Sequence, residues 1–289
     1  MMKLPLLINH FCCSLLDFLF CTMSTPYGFL HNIAFLGVGL FSYLGVSQSF
    51  QLSSGLTTCL LVCSSYIYLF ETRSSSLQMN RWKMSWPWVR GIYHLIVFLF
   101  AFSIIPLIYL RPDDQLAAKL DSLARDPCPT REFFDNPVLI ISTDPHLINF
   151  VFYFLAPMII LHTNFHLVFH VSCTVYYLYI VPNKSTSVEN RKNQQRFFIG
   201  ILFQTAIPSF FLFAILFLVV FDSFTHQVTQ AAVNSAVISA ATHGIIESVT
   251  ILIVHRSYRE AVFRRKSRRV SDNHRVKPRQ PDSSFLTPK

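Results

Sequence analysis

The stretch Val233-Asn-Ser-Ala-Val-Ile-Ser-Ala-Ala-Thr-His243-Gly-Ile-Ile-Glu247-Ser-Val-Thr-Ile-Leu-Ile-Val254, followed at once by His255-Arg256-Ser257-Tyr258-Arg259-Glu260, decides the fold class. Its first part carries no Lys or Arg and is long enough to cross a bilayer, which takes about 20 residues. The second part is a basic exit. Of the 24 Lys and Arg residues, 11 lie after Val254. Positive charge concentrated behind a span marks a cytoplasmic face, so the basic balance speaks for membrane orientation and against nucleic-acid binding.

Composition agrees. Hydrophobic residues make up 52% of the 289 and charged residues 13%, against about 25% charged in a soluble domain. Six of the seven Cys fall inside apolar runs, where a free thiol behaves as a small hydrophobe. Cys128 alone sits in a long polar loop, and no Cys/His spacing suits a zinc module.

Working outward, the apolar runs predict an all-α, polytopic transmembrane helical bundle with six spans, at about 4–23, 50–70, 89–110, 150–176, 197–221 and 233–254. Residues 1–260 form the membrane domain; the basic tail 261–289 is expected to be disordered. The first run holds Asn9, His10 and Asp17, which suits a span better than a cleaved signal. An acid at membrane depth should face the bundle interior. Gly28–Val46 is apolar but holds four of the eight glycines and has no polar connectors, so it reads as a surface-hugging or re-entrant loop. Pro157 and Pro208 are candidate helix bends. Loops 71–90 and 182–196, the tail and Lys3 together hold 20 of the 24 bases; the loop 111–146 holds the other four against seven acids. The base-rich side is therefore cytoplasmic and the acidic loop extracellular, where Cys128 is free to form a disulfide. The sequon at Asn183 falls on the cytoplasmic side.

On a helical projection, Ser235, Ala236, Ser239, Ala240, Glu247 and Thr250 share the side of His243, while Ile238, Ala241, Ile245, Val249 and Leu252 take the other. Glu247 lies one turn from His243, within hydrogen-bond reach. This face is either a polar packing seam or a ligand-facing site. His162, His166 and His170 share a stripe; they read as interhelical hydrogen-bonding groups, or as a His-box metal site of the kind found in membrane oxidases. Glu71-Thr72-Arg73 ends a span with an acid and a base that could pair and hold its inner end closed. No nucleophile elbow or phosphate loop is present, so no catalytic residue is assigned.

The ordered set of landmarks resembles the nematode serpentine chemoreceptors, class H most closely and class I next. It comprises His10-Phe11, Leu16-Asp17 and Pro26-Tyr27; Gly39 and Leu44-Gly45-Val46; Phe70-Glu71-Thr72-Arg73; Pro112, Gln115, Pro127-Cys128, Phe134, Pro137 and Asp144; Phe197-Phe198, Gln204 and Pro208; and His243-Gly244, His255 and Tyr258-Arg259. In this alignment Leu4–Met23 is similar to the family's second segment, so the first is expected to be missing. Ser257, Ser74 and Glu247 depart from the family's usual residues.

The resemblance implies a rhodopsin-like G-protein-coupled chemosensory receptor in the plasma membrane of a chemosensory neuron's cilium, with a small-molecule cue and a heterotrimeric G protein as partners. It implies no enzyme activity, cofactor or metal. Ligand-pocket candidates are Asp17, His166, Gln204, His243 and Glu247. Candidates facing the G protein are Glu71, Arg73, Arg191, Lys192, Arg196, Tyr258 and Arg259, and the tail bases should meet anionic lipid. A proton-coupled transporter using Asp17 and Glu247 is the rival reading, and a non-functional truncated receptor copy is another.

Overall fold

The computed structural model describes residues 3–181, 187–225, 227–254 and 259. Tyr258, the sequon residue Asn183 and the tail 261–289 lie outside them.

Helix α1 (Lys3–Met23) ends in a π turn, Leu19–Met23. A hairpin follows, β1 (Pro26–Phe29) and β2 (Ala34–Gly37), then one helical turn at Leu40–Tyr43. Ser47 caps α2 (Gln48–Ser75) by accepting from Phe50 N. Pro87 opens α3 (Pro87–Tyr109), which is interrupted between Phe100 and Ile105. The acidic loop is structured: Asp114 caps α4 (Gln115–Ser122), a short turn occupies Arg131–Asp135, and β3 (Leu139–Ile140) adds to the hairpin. Asp144 caps α5 (Pro145–Ile180). Then come α6 (Val188–Thr225), α7 (Gln230–Ala241) and α8 (His243–Val254).

The fold is mostly helical, as expected, but it carries a small antiparallel sheet in the order β1-β2-β3. The segment expected to hug the surface is its hairpin. Phe29, Ala34 and Leu36 pack with Ala118, Phe133, Val138 and Ile140 of the acidic loop to make a separate apolar core. This assembly covers one end of the bundle, called here the sheet end. At the opposite end Leu69, Phe70, Leu77, Leu178, Phe198 and Ile201 form a second core.

Among the described residues, α1, α2, α3 and α5 are long and apolar enough to cross a membrane, and α7 with α8 makes a fifth if taken as one broken span. The sixth expected span, 197–221, lies within α6. The expected straight helix over 233–254 is bent by 44° at Thr242. In α5 the distortion falls in the turn before Pro157, a π turn at Val151–Leu155. Proline has no N–H and its ring crowds the preceding carbonyl, and a wider turn relieves both problems. Pro208 sits inside the uninterrupted α6.

Candidate functional site

Three polar regions stand out. The first is a sealed cluster in the middle of the bundle. Asn9 Nδ2 donates to Glu247 Oε1 at 2.8 Å, and Gln204 Nε2 donates to the same oxygen at 3.0 Å. Ser65 donates to Asn9 Oδ1 at 2.9 Å. One carboxylate thus ties α1, α2, α6 and α8 together. Asn9, Ser65, Gln204 and Glu247 are all buried. Glu247 Oε2 has no hydrogen-bond partner among the described residues; the half-exposed His10 ring is 3.9 Å away.

Next to this cluster lies the bend. His243 Nδ1 is 2.7 Å from Ala240 O and 2.9 Å from Asp17 Oδ1, and Gly244 N donates to that carboxylate oxygen at 3.1 Å. The first N–H groups of a helix lack intrahelical acceptors and favour negative charge. Asp17 of α1 meets this need for α8, as a cap supplied from another helix. A Cβ at position 244 would run into the Asp17 carboxylate, so glycine there allows the two to approach closely.

The helical projection of the last span holds up. Ala236, Ala240, His243, Glu247 and Thr250 are buried, and Ile238, Ile245, Val249 and Leu252 are exposed; Ser235 departs by being exposed, and Ser239 and Ala241 are half-buried. The expected His243–Glu247 bond is replaced: His243 turns to Asp17, and Glu247 to Asn9 and Gln204. Four of the pocket candidates, Asp17, Gln204, His243 and Glu247, therefore come together, but as mutual packing partners.

The second region is at the opposite end. Glu71 is fully buried and does not pair with Arg73. Arg90 of α3 reaches its carboxylate at 2.8 Å, and His94 Nε2 lies 2.9 Å from Oε2. Arg90 also donates to Thr72 Oγ1 at 2.7 Å, and Ser75 to Glu71 Oε1 at 2.6 Å. Arg73 is buried too; it donates to Gln194 O of α6 at 3.2 Å and lies over the Phe197 ring. His166 belongs here, its Nδ1 2.9 Å from Tyr93 OH. His170 bridges Tyr93 and Ser74 at 3.4 and 3.0 Å. No group of three metal-ligating side chains occurs among the described residues. Arg191, Lys192 and Arg196 lie in the first turns of α6, and Arg259 is exposed, donating to Ile253 O.

The third region is open. A cavity of about 810 Å³ lies at the sheet end, between the hairpin turn, the acidic loop, the start of α5 and the end of α6. His31 is its hub: Nε2 is 2.9 Å from Asp222 Oδ1, and Nδ1 is 3.9 Å from Asp126 Oδ2. Asp222 also accepts from Val228 N. Arg125 donates to Asn32 O and Ser142 O, both at 3.3 Å, which ties the acidic loop to the hairpin and to the approach to α5. Partial burial pulls the Arg125 guanidinium below its ordinary value while Asp121 acts in the opposite direction; the group stays charged. None of these residues was among the pocket candidates. They come from four distant parts of the chain and share no motif. Cys128, the expected disulfide residue, is exposed on this side and is a free thiol.

A model of the family described as serpentine type 7TM GPCR chemoreceptor Srh matches residues 1–267. The chain is also similar to serpentine receptor class H-72 of Caenorhabditis elegans, 30% identical over 235 residues that make up 81% of this chain and 67% of that one. No solved structure matches it. With its apolar helical bundle, the chain is an integral membrane protein and belongs to the class H family of serpentine chemoreceptors.

Proposed function

We propose that this protein is a G-protein-coupled chemosensory receptor that binds a small molecule in the cavity at the sheet end and signals from the opposite end. Family membership supports the receptor class. The charge distribution supports the orientation: the acidic loop lies at the sheet end, and Arg73, Arg90, Arg191, Lys192 and Arg196 lie at the other. Six spans, with α6 among them, and a cytoplasmic C-terminus follow from that reading.

The observation that carries the ligand site is the cavity itself, whose size lies within the roughly 300–1,000 Å³ of ordinary small-molecule sites. The residues of the sealed cluster are buried and bonded to one another. This moves the ligand from Asp17, His166, Gln204, His243 and Glu247 to the outer cavity and leaves those residues as internal ties. The mechanism is population shift. Val219 and Asp222 near one end of α6 line the cavity, and Gln194 near its other end holds Arg73. A ligand that binds better when α6 is displaced would loosen Arg73 and offer it, with Arg191, Lys192 and Arg196, to a heterotrimeric G protein. Glu71, locked to Arg90, would become available only after that rearrangement.

The test is full-length protein co-expressed with a G protein and a second-messenger reporter, challenged with a panel of volatile and water-soluble cues. Val219→Trp should fill the cavity and abolish a response while surface expression stays normal. A full response from that variant would sink the site. Transport by Asp17 and Glu247 gains nothing from the geometry, because the first caps α8 and the second holds three other helices. Proton-dependent uptake would nevertheless restore that reading.

A further inference from the structure

The cavity walls give the ligand's charge. Three carboxylates line it, Asp121, Asp126 and Asp222, against one guanidinium, Arg125, and the His31 imidazole. Arg125 directs its Nη2 group to the backbone carbonyls of Asn32 and Ser142, and His31 is held by Asp222. Among the described residues, no lysine lines the space. An anionic guest would face three carboxylates against a single guanidinium. The acceptors are in surplus: the acid side has more charge than its neighbours neutralise, and a buried or half-buried carboxylate gains most from a charged donor.

The rest of the lining is apolar and aromatic. Leu30, Ile33, Ile148 and Val219 form walls, and the widened turn of α5 supplies Phe152 and Tyr153. That turn exists because of Pro157. An aromatic face beside carboxylates suits a cation on an apolar body.

We propose that the outer cavity binds small protonated amines, with the ammonium held by Asp126 and Asp121 and the apolar body packed on Phe152, Ile148 and Val219. This inference rests on the cavity being the ligand site; it does not require that binding leads to G-protein activation.

Three probes of one shape and different charge test it: phenethylamine, phenethyl alcohol and phenylacetate. Each is added to the purified full-length receptor in detergent or nanodiscs, and thermal unfolding is followed. Phenethylamine should raise the melting temperature in a saturable way, and the other two should not. Asp126→Asn should weaken the amine about tenfold or more, as expected for loss of a hydrogen bond to a charged group. Asn at 126 still has an oxygen to accept from Cys128 N, so the loop should keep its fold. Asp121→Asn, at an exposed position, is the second variant and should weaken the amine as well. A larger shift with phenylacetate, equal shifts with all three, no shift with the amine, or wild-type amine binding in both variants would overturn the proposal. Amine binding that fails to activate a G protein supports the ligand class and sinks the signalling reading. Activation by anionic cues alone does the reverse.

Discussion

The sealed cluster around Glu247 and the open cavity around His31 are built from similar residues, carboxylates, a histidine and amides, yet one is buried and the other borders open volume. In the cluster, one oxygen of Glu247 takes two donors from two helices, and every member is buried. In the cavity, Arg125 Nη2 is tied to the backbone and His31 to Asp222, and three carboxylates line free volume. Polar chemistry inside a membrane protein therefore does not by itself mark a ligand site. What marks one is polar chemistry next to open space.

The strongest way to break this contrast is Glu247→Ala. It strands the Asn9 and Gln204 donors in a buried site, at roughly 1–3 kcal/mol each. We expect surface expression to collapse and the melting temperature in detergent to fall more than for any variant below. Glu247→Gln keeps an acceptor oxygen and should recover most of the loss. A wild-type melting curve for the alanine variant would show that the cluster is not a structural tie and would reopen it as a pocket.

Arg90→Ala comes next. Breaking a buried ion pair from one side costs about 3–5 kcal/mol. The low end applies, because His94 stays on Glu71 and the Arg90 side chain is 28% exposed. Thermal unfolding measures the loss, and basal second-messenger output should rise as α2 and α3 part. A variant with unchanged stability and unchanged basal output would remove the lock from the mechanism.

The third is Gly244→Ala. Its methyl group would collide with the Asp17 carboxylate, and overpacking of this kind costs about 1–3 kcal/mol. The double variant Asp17→Ala with Gly244→Ala should be more stable than the sum of the two single losses predicts, since the residues touch. Strict additivity in unfolding measurements would show that Asp17 is not the group that requires glycine.

The sequence announced part of this and hid the rest for identifiable reasons. The buried face of the last span follows from helical period alone, and Asp17 had to face inward because an acid in lipid is costly. The bend at Thr242 carries no proline signal, since its stabilising cap comes from a residue 227 positions away. Glu71 and Arg73 looked like a pair because they are close in sequence, but residues two apart on a helix point to different sides. Its true partner, Arg90, stands on the next helix, across a loop. The cavity was invisible for a similar reason. His31, Asp126 and Asp222 are each a lone polar residue in its own segment, and only the hairpin fold brings them together.

The smallest effect expected on stability is the sharpest test of the contrast. Asp121 lines the cavity at an exposed position, where it acts on the Arg125 guanidinium through charge alone. Asp121→Asn should change folding free energy by no more than about 0.5 kcal/mol, the usual range for a surface substitution. Any response to an amine should nevertheless weaken. The measurement is a pair of curves from one preparation, thermal unfolding without ligand and the shift with phenethylamine. Stability and binding should separate at Asp121 and fall together at Glu247. If Asp121→Asn unfolds as early as Glu247→Ala, the cavity carboxylates hold the acidic loop on the hairpin as Glu247 holds the bundle. The two regions would then differ in location and not in kind.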